Sequence, residues 1–234
     1  MRMSANVTSI DSKIQWLERC AERAANWLQD LIFPPTCGNC GRVDFRFCAG
    51  CLHELEQLPI EAHLKTLPEE GEELDAPLAT GEHRGVLQNA VQAFKYNDAT
   101  ELSERLAARL IVALLERNWQ IDVIVPVPLF AEREAERGYN QSTLLSGHLV
   151  SALGIPVRAD CLKRVRDTKQ QALLSQLERR KNVENAFEAS EEVKALSILL
   201  VDDVITTGST LRECASALRA KGADRIYAIA ISHA

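Results

Sequence analysis

Apolar residues recur along this chain in two rhythms. At steps of three and four, Ile10, Ile14, Leu17, Ala21, Ala25, Leu28 and Leu31 mark one face of an amphipathic helix over residues 9–33, and Pro34-Pro35 ends it. Trp16 and Trp27 widen that stripe. The face is suited to packing on the main domain or on a partner subunit, which leaves a homo-oligomer open. Attachment to a membrane surface is the alternative, against which the polar face is not strongly basic. The same spacing, through Val86, Leu87, Ala90, Val91 and Phe94, predicts a helix over 86–96 that delivers Lys95 next to Tyr96 and Asn97. Further helices are expected over 101–117, 142–153, 175–182 and 211–220, the third capped by Ser175 with Glu178 at capping-box spacing. The second rhythm is unbroken. Residues 121–129 (IDVIVPVPL), apolar except for Asp122, and 198–201 (ILLV) read as strands buried on both faces of a parallel sheet. Pro126 and Pro128 end the first of them. One or two more strands are expected over 155–166, and another over 225–232.

The run 198–201 meets two adjacent carboxylates, Asp202 and Asp203, then the small, hydroxyl-rich turn Thr206-Thr207-Gly208-Ser209-Thr210, then a helical pattern. In open α/β sheets ligands sit beyond the carboxyl ends of strands, and free N–H groups at a helix start suit a phosphate. The aspartates are acceptors placed for sugar hydroxyls or a hydrated Mg²⁺. Adjacent acids ending a buried strand are costly unless they bind something. The whole stretch resembles the 5-phosphoribosyl-1-pyrophosphate (PRPP) signature of type I phosphoribosyltransferases. That likeness implies that Asp202 and Asp203, the catalytic candidates, hold the ribose hydroxyls. It also implies that Val204, Thr206, Thr207, Gly208, Ser209 and Thr210 build the loop around the 5′-phosphate.

Composition narrows the setting. The 234 residues are 46% hydrophobic and 26% charged, with a net charge of −6, as in a soluble globular protein without general affinity for nucleic acid. No run of eighteen apolar residues is present, so no integral membrane segment is expected; the first twenty residues carry acids and no apolar core, so a cytoplasmic location is. Charge is uneven: Glu61 to Glu82 holds seven acids, whereas Arg158 to Lys181 holds eight basic residues against three acids. Four of the seven cysteines, Cys37, Cys40, Cys48 and Cys51, form two Cys-x2-Cys knuckles. They can place four thiolates around one structural Zn²⁺, although an iron–sulfur cluster or redox pairs would use the same residues. The boundaries expected are a helix over 1–35, a cysteine module over 36–56, an acidic linker over 57–80 and the main domain over 81–234.

Three stretches taken together, CGNCGRVDFRFCAGC, PVPLFAEREAERGYNQS and LLVDDVITTGSTL, resemble the competence protein F (ComF/GntX) family. Membership implies a type I phosphoribosyltransferase-like fold behind a zinc module, linked to DNA uptake or to the use of DNA as nutrient. The partners implied are PRPP or a nucleotide with Mg²⁺, and single-stranded DNA or the helicase and other proteins of the uptake machinery. A working transferase would hold the leaving pyrophosphate with Lys95, Val127, Pro128, Arg133, Arg137 and, in a lid that starts near Arg164, Lys169. A nucleotide-sensing or single-stranded-DNA-binding module without catalysis is the other expectation.

Overall fold

The computed structural model describes residues 34–61, 74–166 and 185–234. The expected first helix, most of the acidic stretch and the body of the lid, with Lys169 and the helix over 175–182, lie outside the described residues.

Among the described residues, four parallel strands form the central sheet: β1 (Ala76–Ala79), β2 (Val123–Pro126), β5 (Ser197–Ile205) and β6 (Arg225–His233), in the order β1-β6-β5-β2. Two short antiparallel strands, β3 (Leu162–Arg164) and β4 (Phe187–Ala189), lie at the base of the expected lid. Alternation along the strands sends side chains to two cores. Leu199 and Val201 of β5, with Ile229 and Ile231 of β6, join one cluster. It also holds helices α2 (Gly85–Tyr96), α3 (Leu102–Leu115) and α5 (Gln141–Leu153). Ile198 and Leu200, with Ile226 and Ala228, join the other, beneath α6 (Ser209–Ala220) and the β3–β4 pair. The expected α/β class, with a parallel sheet flanked by helices, is the observed one.

Two differences from the expected elements have local causes. Residues 76–79 were expected in the linker, yet they pair with β6 from Ala76↔Tyr227 to Ala79↔Ala230. Pro77 hides this strand from a pattern reading, and β1 accommodates it because it is the edge of the sheet. The acids at 202 and 203 were expected after the end of the strand; they lie inside β5, because β6 runs alongside to Val204↔Ser232 and Ile205↔His233.

The cysteine module carries α1 (Ala49–Gln57), and Cys37, Phe47, Cys48, Cys51 and Leu55 belong to the same core as α2. Buried Arg109 of α3 ties it down. Its guanidinium donates to the carbonyls of Leu58 (3.0 Å) and Pro59 (2.9 Å) after α1, and to that of Thr80 (3.0 Å) after β1. Helix α2 then crosses the carboxyl edge of the sheet. It starts beside His83, whose Nδ1 pairs with Ser232 Oγ on β6 (2.8 Å), and its Lys95 reaches Asp203 on β5. Its last turn meets Tyr139, whose hydroxyl donates to the Phe94 carbonyl, and Arg137, which lies 5.1 Å from the Tyr96 ring centre. Arg137 ends the short helix α4 (Ala131–Arg137) that follows β2.

Candidate functional site

A cavity of about 370 Å³ opens where α2 crosses the carboxyl ends of the strands. Its floor is the end of β5, and the chain turns sharply there into α6. Gly208 makes the turn: with φ of 72° it is the N-cap of α6 in the left-handed region, where a side chain costs about 1–2 kcal/mol. Thr207 Oγ1 and Ser209 Oγ lie 2.7 Å apart, and the Ser209 amide donates to Thr207 Oγ1 (3.4 Å). The positive end of α6 thus faces the rim beside the acids.

Asp202, Asp203, Val204, Thr206 and Thr210 line the cavity directly, while Thr207, Gly208 and Ser209 shape its turn. Lys95, Val127, Pro128, Arg133 and Arg137, expected for pyrophosphate, open on the same space. Residues separated by more than a hundred positions are therefore brought to one cleft. The lining also includes side chains that the sequence reading did not assign to the site: His83, Gln92, Gln141, Ser142 and Arg164.

The electrostatics centre on a partly buried charged pair. Lys95 Nζ sits 2.7 Å from Asp203 Oδ1. Burial works against the Lys95 ammonium, but the charges of Asp203 and Asp202 more than offset it and raise its pKa. Burial, reinforced by the charge of Asp203, pushes the Asp202 carboxyl up to about 7. His83 moves the other way: burial first, then the charge of Lys95, lowers its pKa and favours neutral imidazole. Around the two carboxylates stand Lys95, Arg133, Arg137 and Arg164, an excess of cations matched to an anionic ligand.

Gln141 is the unusual group. It is 1% exposed, at the first position of α5, and its Nε2 has no hydrogen-bond partner among the described residues. Its neighbour Asn140 is fully used: Oδ1 accepts from the Ser142 amide (2.9 Å) and Nδ2 donates to the Val127 carbonyl (3.1 Å). An orphaned buried amide costs about 1–3 kcal/mol, and a ligand in this cavity would relieve it.

On the outer side of α2 the four cysteine sulfurs all lie within 4.8 Å of one another, Cys40 and Cys48 at 3.6 Å. Zn–S bonds of about 2.3 Å separate tetrahedral sulfurs by about 3.8 Å, so the cluster fits a metal ion of that kind. None of the four is in a disulfide. The Cys48 amide donates to Cys37 Sγ (3.3 Å) and Asn39 Nδ2 to Cys51 Sγ (3.2 Å), the support that ligating thiolates need. Burial opposes ionisation of Cys37, but the N–H groups of Cys40, Cys48 and Asn39 bring its thiol down to about 6.

A model of the phosphoribosyl transferase domain matches residues 97–233. Competence protein F of Haemophilus influenzae is 34% identical over 208 residues, covering 86% of this chain and 85% of that protein. This chain belongs to the competence protein F family. DNA utilization protein YhgH of Salmonella typhi is 38% identical over 141 residues, 58% of this chain and 62% of that one. Competence protein ComFC of Bacillus subtilis is 37% identical over 102 residues, 43% and 39% of the two chains. Among solved structures, the allosteric regulatory enzyme of purine biosynthesis aligns over 56% of this chain and 25% of its own, at 22% identity and a TM-score of 0.37. No helix among the described residues is long and apolar enough to cross a membrane.

Proposed function

We propose that the cleft binds PRPP, or a related ribose 5-phosphate ligand, together with Mg²⁺, and transfers the phosphoribosyl group to an acceptor. The observation that carries this reading is the convergence of Asp202, Asp203, Lys95 and the Gly208 turn on one cavity. Asp202 and Asp203 take the ribose hydroxyls, Thr206 to Thr210 the 5′-phosphate. Lys95, Arg133, Arg137, the loop Val127-Pro128 and the orphaned Gln141 amide take the pyrophosphate. Mg²⁺ would be held with the ligand beside Asp202 and Asp203 and would supply neutralisation of the pyrophosphate charge. This chain's own contribution is positioning and fixed charge; no covalent nucleophile is required. Calorimetry with Mg²⁺ and PRPP should give saturable heat that the double variant Asp202→Ala, Asp203→Ala abolishes; binding retained in that variant would refute the assignment.

The relatives' names as competence and DNA utilization proteins support placing this activity in DNA uptake or in the use of DNA as nutrient. They equally favour a nucleotide-sensing module that contacts single-stranded DNA or uptake proteins. Pyrophosphate release from PRPP across a panel of bases, amines and nucleotides separates the two, because a sensor binds without release. The four-cysteine module holds one structural Zn²⁺ in this reading, with no open position for catalysis. Metal analysis of chain purified without added metal should give about one zinc per chain; iron with visible absorbance would show a different centre.

A further inference from the structure

Helix α2 has two working faces. Asn89, Ala93 and Asn97, spaced four apart, form one stripe, and it meets the cysteine module. Asn89 Nδ2 donates to Asn39 Oδ1 (2.8 Å), and Arg46 Nη1 donates to the Asn97 carbonyl (3.1 Å). The closest approach is at Gly38, where a Cβ would stand 2.8 Å from Ala93 Cβ, nearer than carbon atoms can pack. The other face, Gln92, Lys95 and Tyr96, lines the cavity. Asn39 also donates to Cys51 Sγ (3.2 Å). A continuous contact path therefore runs from a cysteine sulfur through Asn39 and Asn89, along α2, to Lys95 and Asp203.

We propose that the cysteine module is a positioning element of the cleft: docked through Gly38 and Asn39, it fixes the last turn of α2 and with it the reach of Lys95 toward Asp203 and the ligand. The proposal rests on the PRPP reading above. Its physical basis is that α2 spans the cavity with its start tied beside β6 and its end held between the module and residues 137–139. Lys95 is placed by the helix that carries it, so whatever seats that helix seats the cation. Asn39 and Gly38 touch no ligand; they act through Lys95.

A double-mutant cycle tests the path, with Mg²⁺·PRPP affinity by calorimetry and zinc content as readouts. Lys95→Ala should weaken binding by about tenfold or more, the loss of a hydrogen bond to a charged group. Gly38→Ala, which forces the module off α2, should weaken it by about 3- to 30-fold while about one zinc per chain is retained. In the Lys95→Ala background, Gly38→Ala should cost nothing further. Ala93→Gly added to Gly38→Ala removes the colliding methyl and should restore much of the affinity. If Gly38→Ala does not fold, Asn39→Ala, which deletes the link between Cys51 and Asn89 without adding an atom, takes its place in the same cycle. Multiplying losses in the double variant, or unchanged affinity in Gly38→Ala, would overturn the proposal while leaving the ligand assignment intact. Absence of Mg²⁺·PRPP binding by the unaltered chain would remove the assignment itself, and the coupling with it.

Discussion

Replacing Gln141 by methionine separates what the site needs from what the fold needs. The side chain is 1% exposed and its Nε2 has no partner among the described residues, so the fold carries a desolvated amide there. Methionine keeps the length and removes the polar atoms. Relief of even the low end of the cost of an unpartnered donor gives about 1 kcal/mol of added stability. For a chain of this size that is a rise of about 2–4 °C in melting temperature. The same change deletes the donor proposed for the pyrophosphate, and a hydrogen bond to a charged oxygen is worth about 1.5–3 kcal/mol, or about 10- to 100-fold in affinity. Thermal melting with and without Mg²⁺·PRPP reads both effects in one instrument: the variant should melt higher than the parent alone, and gain less on adding ligand. A variant that melts lower without ligand and binds as tightly as the parent would refute the reasoning, because Gln141 would then be stabilising the fold and ignoring the ligand.

Two other outcomes follow from charge and burial. Asp202, raised to about 7 by burial and by Asp203, holds its proton in the folded chain above the usual unfolded value of about 3.9. Its contribution to stability is therefore complete below about pH 3.9 and lost as the pH rises through about 7. A ligand that needs the ionised pair is expected to bind more tightly from pH 6 to pH 8 and to release a proton, seen as a binding enthalpy that varies with the buffer's heat of ionisation; Asp202→Asn should flatten both. Arg109→Met leaves the carbonyls of Leu58, Pro59 and Thr80 without their shared donor, so a loss of about 3 kcal/mol or more in denaturant unfolding is expected, with PRPP affinity falling less than in Lys95→Ala.

What was legible in the sequence was what is contiguous. The run from Ser197 to Leu211 carries strand, acids, turn and helix start in fifteen residues, so its chemistry shows without knowledge of the fold. The four cysteines likewise declare themselves by spacing. Pairings across distance did not show. Nothing near His83 points to Ser232, and nothing near Asn39 points to Asn89; both contacts exist only because the sheet order brings β1 beside β6 and the core brings the module onto α2. Strand β1 was lost to Pro77, a residue that a pattern reading takes as a break and an edge strand tolerates. Nothing in the sequence sets Gln141 apart, because its burial without a partner among the described residues depends on the packing of α5.

Strand β6 lies between β1 and β5 although it follows both in the chain. During synthesis the ribosome must add most of the 149 residues that follow His83 up to Ser232 before the gap is filled. At about 5–20 residues per second that is about 7–30 s in which the inner edge of β1 waits unpaired, whereas β5, made shortly before β6, waits far less. Such edges invite the wrong partner, so this interval is when a chaperone or a neighbouring nascent chain has most influence. The cleft would then act as a proof of completion: the ligand proposed for it could be gripped only after the strand that closes the sheet has been threaded into the middle.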